Sequence, residues 1–178
     1  PEPALIERLD KDVEEMNRLV GDMLDLARGL GREAPREVEV GPLLEELAAR
    51  ARETGAAVVV AAQPCVAIAA PHALRRLLGN LLANAQRYGG RATIELQAQR
   101  GDDGVRVGVL DRGPGIPPEQ LEAVFRPFYR LDSARNVDSG GTGLGLAISR
   151  DIAMSHGGDI ILDDSPLGGL RAILMIPA

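Results

Sequence analysis

A chain of 178 residues with 45% hydrophobic and 26% charged side chains has the composition of a globular protein, sized for one domain plus an extra element or two small domains. Its net charge of −6 argues against a general nucleic-acid binder, and its one cysteine, Cys65, excludes an intrachain disulfide and suits a reducing compartment. No apolar run approaches the ~20 residues of a membrane span, and the acidic, amphipathic start does not have the pattern of a signal peptide.

The first predicted element is a helix. Ile6, Leu9, Val13, Met16, Val20, Met23, Ala27 and Leu30 are spaced alternately three and four apart, the a/d seam of a heptad pattern, and charged residues such as Glu7, Lys11, Glu14 and Arg18 fill the other faces. One helix cannot bury such a seam by itself. Partner helices are expected, from the same chain or a second one, and packing of the helix on its own domain is the other reading. The opening PEPALIERLD is helical from the outset, so the chain is expected to be a piece of a longer protein. Gly29 to Pro35, GLGREAP, mixes Gly, Pro and charge and reads as a linker. The expected division is a bundle helix over 1–30, a linker over 31–37 and a second domain over 38–178.

In the second domain the texture changes. Val38 and Val40 suggest a short strand, and Pro42 opens a helix to about Glu53. Strands are expected at Val58–Ala61 and Val66–Ala69, then a helix from Pro71–His72 to Tyr88, then strands at Ala92–Gln99 and Val105–Leu110. Helices at Pro118–Val124 and Thr142–His156 and strands at Asp159–Leu162 and Leu170–Ile176 complete the chain. Helices mix with hairpins that look antiparallel, without regular βαβ alternation. The predicted fold class is an α/β two-layer sandwich preceded by one amphipathic bundle helix.

Three stretches carry chemistry. In LLGNLLANAQRY, Asn80 and Asn84 are four apart and project from one helix face, opposite Leu77, Leu78, Leu81 and Leu82. Asn is a mediocre helix former, so a pair on one face calls for a reason: ligation of a hard cation such as Mg²⁺, or capping of nearby backbone. Arg87 and Tyr88, one turn on, suit a phosphate and a ring or ribose. In VLDRGPGIP a strand ends at Leu110 and Asp111 follows, with Gly113 and Gly115 beyond. Such a carboxylate can accept from an exocyclic amine, or it can form an ordinary Asx turn. DSGGTGLGLAISR, Asp138 to Arg150, sets Gly140, Gly141, Gly143 and Gly145 against a helix start. It lacks the lysine of a P-loop and does not complete GxGxxG. What remains is a flexible loop running into a helix N-terminus, where free N–H groups favour phosphate.

Together and in this order, the stretches resemble the catalytic ATP-binding domain of sensor histidine kinases, in the superfamily that also holds Hsp90, gyrase B and MutL. NLLANAQRY looks like the N box, DRGPGIP the G1 box, FRPFYR (Phe125 to Arg130) the F box and GTGLGLA the G2 box, with His156-Gly157-Gly158 where the family has HGG. The likeness covers about residues 36–178, and RLDKDVEEMNRLVGDMLDLAR resembles the second helix of the family's dimerisation and phosphotransfer bundle. RYGG and the segment RLDSARNVDSGGTG look most like osmosensor kinases of the EnvZ type. The resemblance implies the Bergerat ATP-binding fold with ATP and Mg²⁺ as cofactors. Asn84 would ligate Mg²⁺, supported by Asn80, with Arg87 toward phosphate and Tyr88 beside the nucleoside. Asp111 would accept from the adenine amine, while Gly113, Gly115 and Ile116 shape the pocket. Arg130 would lie near the γ-phosphate, with Asn84 the second catalytic residue. Thr142, Gly143 and Gly145 would hold phosphates by backbone, Leu144 and Leu146 would belong to the same nucleotide site, and about Leu131 to Gly141 would form a lid.

The same resemblance implies partners and location: ATP or ADP, a bundle helix carrying the acceptor histidine, a response regulator, a homodimeric parent and no nucleic acid. The chain would be a cytoplasmic piece of a bacterial inner-membrane protein. The family's phosphoacceptor pattern is missing, since His72 follows Pro71 at a helix start and His156 precedes Gly157-Gly158 at a helix end. The chain is therefore expected to bind ATP without phosphorylating itself. Two alternatives stand beside the kinase reading: a non-catalytic nucleotide-binding or dimerisation module, and an ATP-hydrolysing clamp. The clamp would need an acidic residue to activate water, and no Asp or Glu lies between Pro71 and Arg91.

Overall fold

Period-two alternation builds the sheet. β4 (Ile94–Gly101) buries Ile94, Leu96 and Ala98 and turns Glu95, Gln97 and Gln99 the other way; β5 (Gly104–Leu110) buries Val105, Val107 and Val109 on the same side. The last two strands, β6 (Asp159–Asp164) and β7 (Leu170–Pro177), repeat the pattern with Ile160, Leu162, Ala172, Leu174 and Ile176. With β2 (Val58–Ala62) these form a five-stranded sheet in the order β2-β4-β5-β7-β6. A separate ribbon pairs β1 (Arg36–Glu39) with β3 (Val66–Ala69). The computed structural model describes residues 33–131 and 142–177, together with Val13, Met16, Val20, Gly21 and Leu24.

The apolar face of the sheet is covered by helices, giving the two layers expected from the sequence. These are α1 (Val40–Glu53), α2 (Pro71–Tyr88) and α3 (Gly145–Ser155). The core between the layers is aliphatic: Leu44, Leu74, Leu77, Leu78, Leu96, Ile148, Ile152 and Leu174 are almost fully buried.

Local readings needed four corrections. Val40 is not a strand residue: its N–H extends the β1–β3 ladder by one bond, to Cys65 O at 3.1 Å, while Val40 itself is the first residue of α1. β2 and β4 run parallel, so the sheet is mixed and not wholly built of antiparallel hairpins. Pro118–Val124 is not one helix but two 3₁₀ turns, Pro118–Gln120 and Ala123–Phe125, because so short a stretch closes i→i+3 bonds more readily than it nucleates an α-helix. α3 begins at Gly145, not Thr142, because Gly143 takes a left-handed φ of 70° and the Leu144 N–H is held by Thr142 Oγ1 at 3.2 Å.

α3 ends on the His-Gly-Gly motif. The Gly157 N–H donates to Met154 O at 3.0 Å and the Gly158 N–H to Ala153 O at 2.9 Å, a Schellman cap. His156 then ties this end to the start of α2: its Nε2 accepts from the Ala70 N–H at 2.9 Å, which leaves Nδ1 to donate to Ile152 O at 2.8 Å. His156→Ala leaves the buried Ala70 N–H without that acceptor and is expected to cost about 2 kcal/mol in a denaturant titration, against near-zero change for a solvent-facing control such as Gln99→Ala.

Within the N-terminal segment, Val13, Met16, Val20 and Leu24 are helical, and the first three are 53%, 64% and 54% exposed. The other seam residues, Ile6, Leu9, Met23, Ala27 and Leu30, lie outside the described residues.

Candidate functional site

A cavity of about 480 Å³ opens between α2, the N-terminus of α3, the ends of β5 and β7 and the segment after β5. One wall is the exposed face of α2. The buried face of that helix carries Leu74, Leu77, Leu78, Leu81, Leu82 and Ala85, which fixes its rotation and points Asn80, Asn84 and Arg87 at the cavity. Tyr88, half-exposed, stands at the end of the same wall.

Asp111 lies at the base of the cavity, 5% exposed, where β5 runs out. Its Oδ1 accepts two backbone N–H groups, from Gly113 at 2.7 Å and from Leu170 at 3.1 Å, and its own N–H donates to Leu170 O at 2.9 Å. The carboxylate is thereby locked in one orientation. Oδ2 keeps no protein partner among the described residues and remains the acceptor available to the cavity. Around it Val109, Ile116, Leu146, Leu170 and Ala172 supply an apolar lining, so a planar group with an amine at its edge would fit both the shape and the single acceptor.

The opposite end is polar. Thr142, Gly143 and Gly145 line it from the α3 side and Arg130 from the other. These two sides meet through backbone: the Phe128 N–H donates to Gly143 O at 3.0 Å, and a Cβ on Gly143 would lie 2.9 Å or less from the Phe128 backbone. Behind them Asn80 Nδ2 reaches Gly145 O at 3.3 Å and Ser149 Oγ at 3.4 Å, and Ser149 Oγ–H donates to Gly145 O at 2.7 Å. Asn80 thus joins α2 to the first turn of α3. A guanidinium, two carboxamides and the free N–H groups of a helix start around one mouth suit a polyanion. Alongside, Tyr129 Oη–H donates to Gln120 Oε1 at 3.0 Å, pinning the segment that ends in Arg130.

A family model described as "Histidine kinase-, DNA gyrase B-, and HSP90-like ATPase" matches residues 69–178, from just before α2 to the end of the chain. The chain belongs to this ATPase family. Its curated relatives include the sensor histidine kinase CpxA of Escherichia coli strain K12, 36% identical over 180 residues that take in 97% of this chain and 39% of CpxA. The chain therefore spans about two-fifths of the length of that relative. Among solved structures, the ATP binding domain of PrrB from Mycobacterium tuberculosis is similar with a TM-score of 0.69 and 30% identity, covering 82% of this chain and 98% of that one. Full-length ShkA in complex with AMPPNP is similar with a TM-score of 0.79 and 26% identity, over 98% of this chain and 39% of that one.

In this member of the ATPase family, the residues singled out from sequence converge on the cavity, with two exceptions. Leu144 is fully buried, and its side chain packs in the core instead of lining the cavity. Gly113 is also absent from the lining; it acts from behind, holding Asp111 through its N–H, and a Cβ there would meet Tyr88 O at 2.5 Å. The expected lid, Leu131 to Gly141, lies outside the described residues except for Leu131, which lines the cavity. Sequence reasoning missed Gly169, Ser149 and the Gln120–Tyr129 pair. For Gly169 the available signal was the Gly168-Gly169 pair between β6 and β7, which reads locally as a plain hairpin turn.

Proposed function

We propose that the chain is the ATP-binding catalytic part of a bacterial sensor histidine kinase. The observation that carries the reading is one cavity with a buried, backbone-locked carboxylate at its apolar end and Asn84, Arg87, Arg130 and the α3 N-terminus at its polar end. Adenine fits the first end through its amine to Asp111 Oδ2; the phosphates fit the second. ShkA, similar over nearly the whole of this chain, has been solved with AMPPNP, and CpxA, similar over 97% of it, is a sensor histidine kinase. Both support the reading.

The chain's own groups bind and orient. Asp111 sets the register of the base, Gly143 and Gly145 offer backbone N–H groups to the phosphates, and Arg87 and Arg130 bring positive charge, with Arg130 nearest the γ-phosphate. Among the described residues no group of three His, Cys, Asp or Glu side chains could hold a metal ion, so a cation here would rest on few protein groups plus phosphate. The Asn84 carboxamide oxygen, a hard neutral donor on the cavity wall, fits Mg²⁺ in that mode. Bound Mg²⁺ would neutralise charge on the phosphates. In the transfer, a ring nitrogen of an acceptor histidine forms the bond to the γ-phosphorus as the bond to the ADP oxygen breaks, and positioning supplies most of the rate. The acceptor belongs to a bundle helix of the kinase dimer beyond this chain, with residues 1–30 as that bundle's second helix, 31–37 as linker and 38–178 as catalytic domain. A response regulator would take the phosphoryl group onward, and the parent would sit in the inner membrane. The absence of any Asp or Glu in α2 to activate water favours transfer over hydrolysis.

Calorimetric titration tests the reading. ATP should bind with an affinity that rises on adding Mg²⁺, and Asn84→Ala should lose roughly tenfold of the Mg²⁺-dependent part while its thermal midpoint stays within about a degree or two of wild type. No binding of ATP or ADP at millimolar concentration would sink it.

A further inference from the structure

The two sides of the polar mouth come from separate elements. Gly143 and Gly145 lead into α3, whereas Arg130 lies in the stretch 126–131 that follows the turn Ala123–Phe125. One side chain braces them. Arg150, midway along α3, donates from Nη1 to Glu122 Oε1 at 2.6 Å and from Nε and Nη2 to Asp159 Oδ1 and Oδ2 at 3.1 and 3.5 Å. Its Cζ also lies 4.5 Å from the centre of the Phe125 ring. A single guanidinium so joins α3, the start of β6 and the turn before Arg130, through two carboxylates and one aromatic ring. Hydrogen bonds to Glu122 first and Asp159 next raise its pKa above the ordinary arginine value.

Beyond that turn the backbone has little slack. The Arg126 N–H donates to Ala123 O at 3.0 Å, the Tyr129 N–H to Arg126 O at 3.1 Å and the Phe128 N–H to Gly143 O, with Phe128 held at a φ of 64° that a bulky residue rarely adopts. A shift of Phe125 is therefore passed along to Arg130.

We propose that Arg150 is a positioning residue for the γ-phosphate end of the site, clamping the 123–125 turn to α3 so that Arg130 and the Gly143–Gly145 backbone converge on one phosphate chain. The proposal rests on the cavity being an ATP site. With Arg130 nearest the γ-phosphate, as that reading has it, loss of the clamp has a signature that general destabilisation lacks: it separates ATP from ADP.

The test is titration of the whole chain with Mg-ATP and with Mg-ADP. Arg150→Met should weaken ATP about fivefold and leave ADP within about twofold, since misplacing one contact costs only the group it touches. Arg150→Lys should restore ATP affinity only in part, because an ammonium cannot hold both carboxylates and the ring. Glu122→Gln, on an exposed side chain whose loss does not threaten folding, should move the same way by a smaller factor and decides the matter if Arg150→Met fails to fold. In an Arg130→Ala background, itself ATP-selective, Arg150→Met should add almost nothing. Equal losses for both nucleotides, no loss, full additivity with Arg130→Ala, or an Arg130→Ala that is not ATP-selective would each overturn the proposal. Wild type that binds neither nucleotide overturns the ATP reading beneath it, a result distinct from all of these.

Discussion

Asp111→Asn will lower ATP affinity by roughly a hundredfold, about 3 kcal/mol, while leaving the fold close to wild type. The reason is in how the two carboxylate oxygens are divided. Oδ1 holds the Gly113 and Leu170 N–H groups, and the carbonyl oxygen of an asparagine can do the same. That assignment forces the new NH₂ into the place of Oδ2, where it meets the adenine amine donor to donor. The same swap presents a donor to a purine bearing a carbonyl at that edge, so inosine triphosphate should lose less affinity than ATP, or gain. Calorimetry with both nucleotides, alongside a thermal melt, checks this. An Asp111→Asn variant that binds ATP like wild type would mean the base is read elsewhere.

Gly169→Ala is expected to be as damaging from outside the cavity. A Cβ at this position would stand 2.5 Å from Asp111 Oδ1, 2.5 Å from Gly113 N and 2.6 Å from Asp111 O, distances that real Cβ atoms do not show. Two of those atoms are backbone and the third is locked by two hydrogen bonds, so no flexible side chain can give way. The carboxylate or the β7 edge must move. Overpacking of this kind costs about 3 kcal/mol, and it should remove most nucleotide affinity as well. The comparison that isolates the cause is Gly168→Ala, next door, where no atom lies within 4 Å of the added methyl group. Gly168 has a φ of 91°, so strain destabilises that variant too, but nucleotide affinity in the folded fraction should stay near wild type. Equal affinity loss in both would reject a specific role for Gly169.

What could be read from sequence depended on range. α2 was predicted end to end because Pro71, the leucine stripe and Arg87-Tyr88-Gly89 are local signals for a start, a buried face and a stop. β3 and β5 were read nearly to the residue for the same reason, their alternation being plain over a few positions. The 3₁₀ turns near Phe125 were misread as one helix, since composition alone does not distinguish i→i+3 from i→i+4 closure in so short a run. Leu144 stands beside the glycines named for the nucleotide site, and only the structure shows that its side chain faces inward, 0% exposed.

By itself, then, the sequence determined most of the element types, the aliphatic core and most of the polar residues around the cavity, because periodicity over two to four residues specifies which face is apolar and which is not. Only the tertiary structure decided how those residues act. Asn80 braces Gly145 across two helices, Gly169 makes room for Asp111, His156 holds Ala70, and Arg150 spans from α3 to Phe125. Each of these joins residues far apart along the chain, and no local pattern encodes a distance between elements. That distance is set by how the helices settle on the sheet, and the cavity is the space their packing leaves.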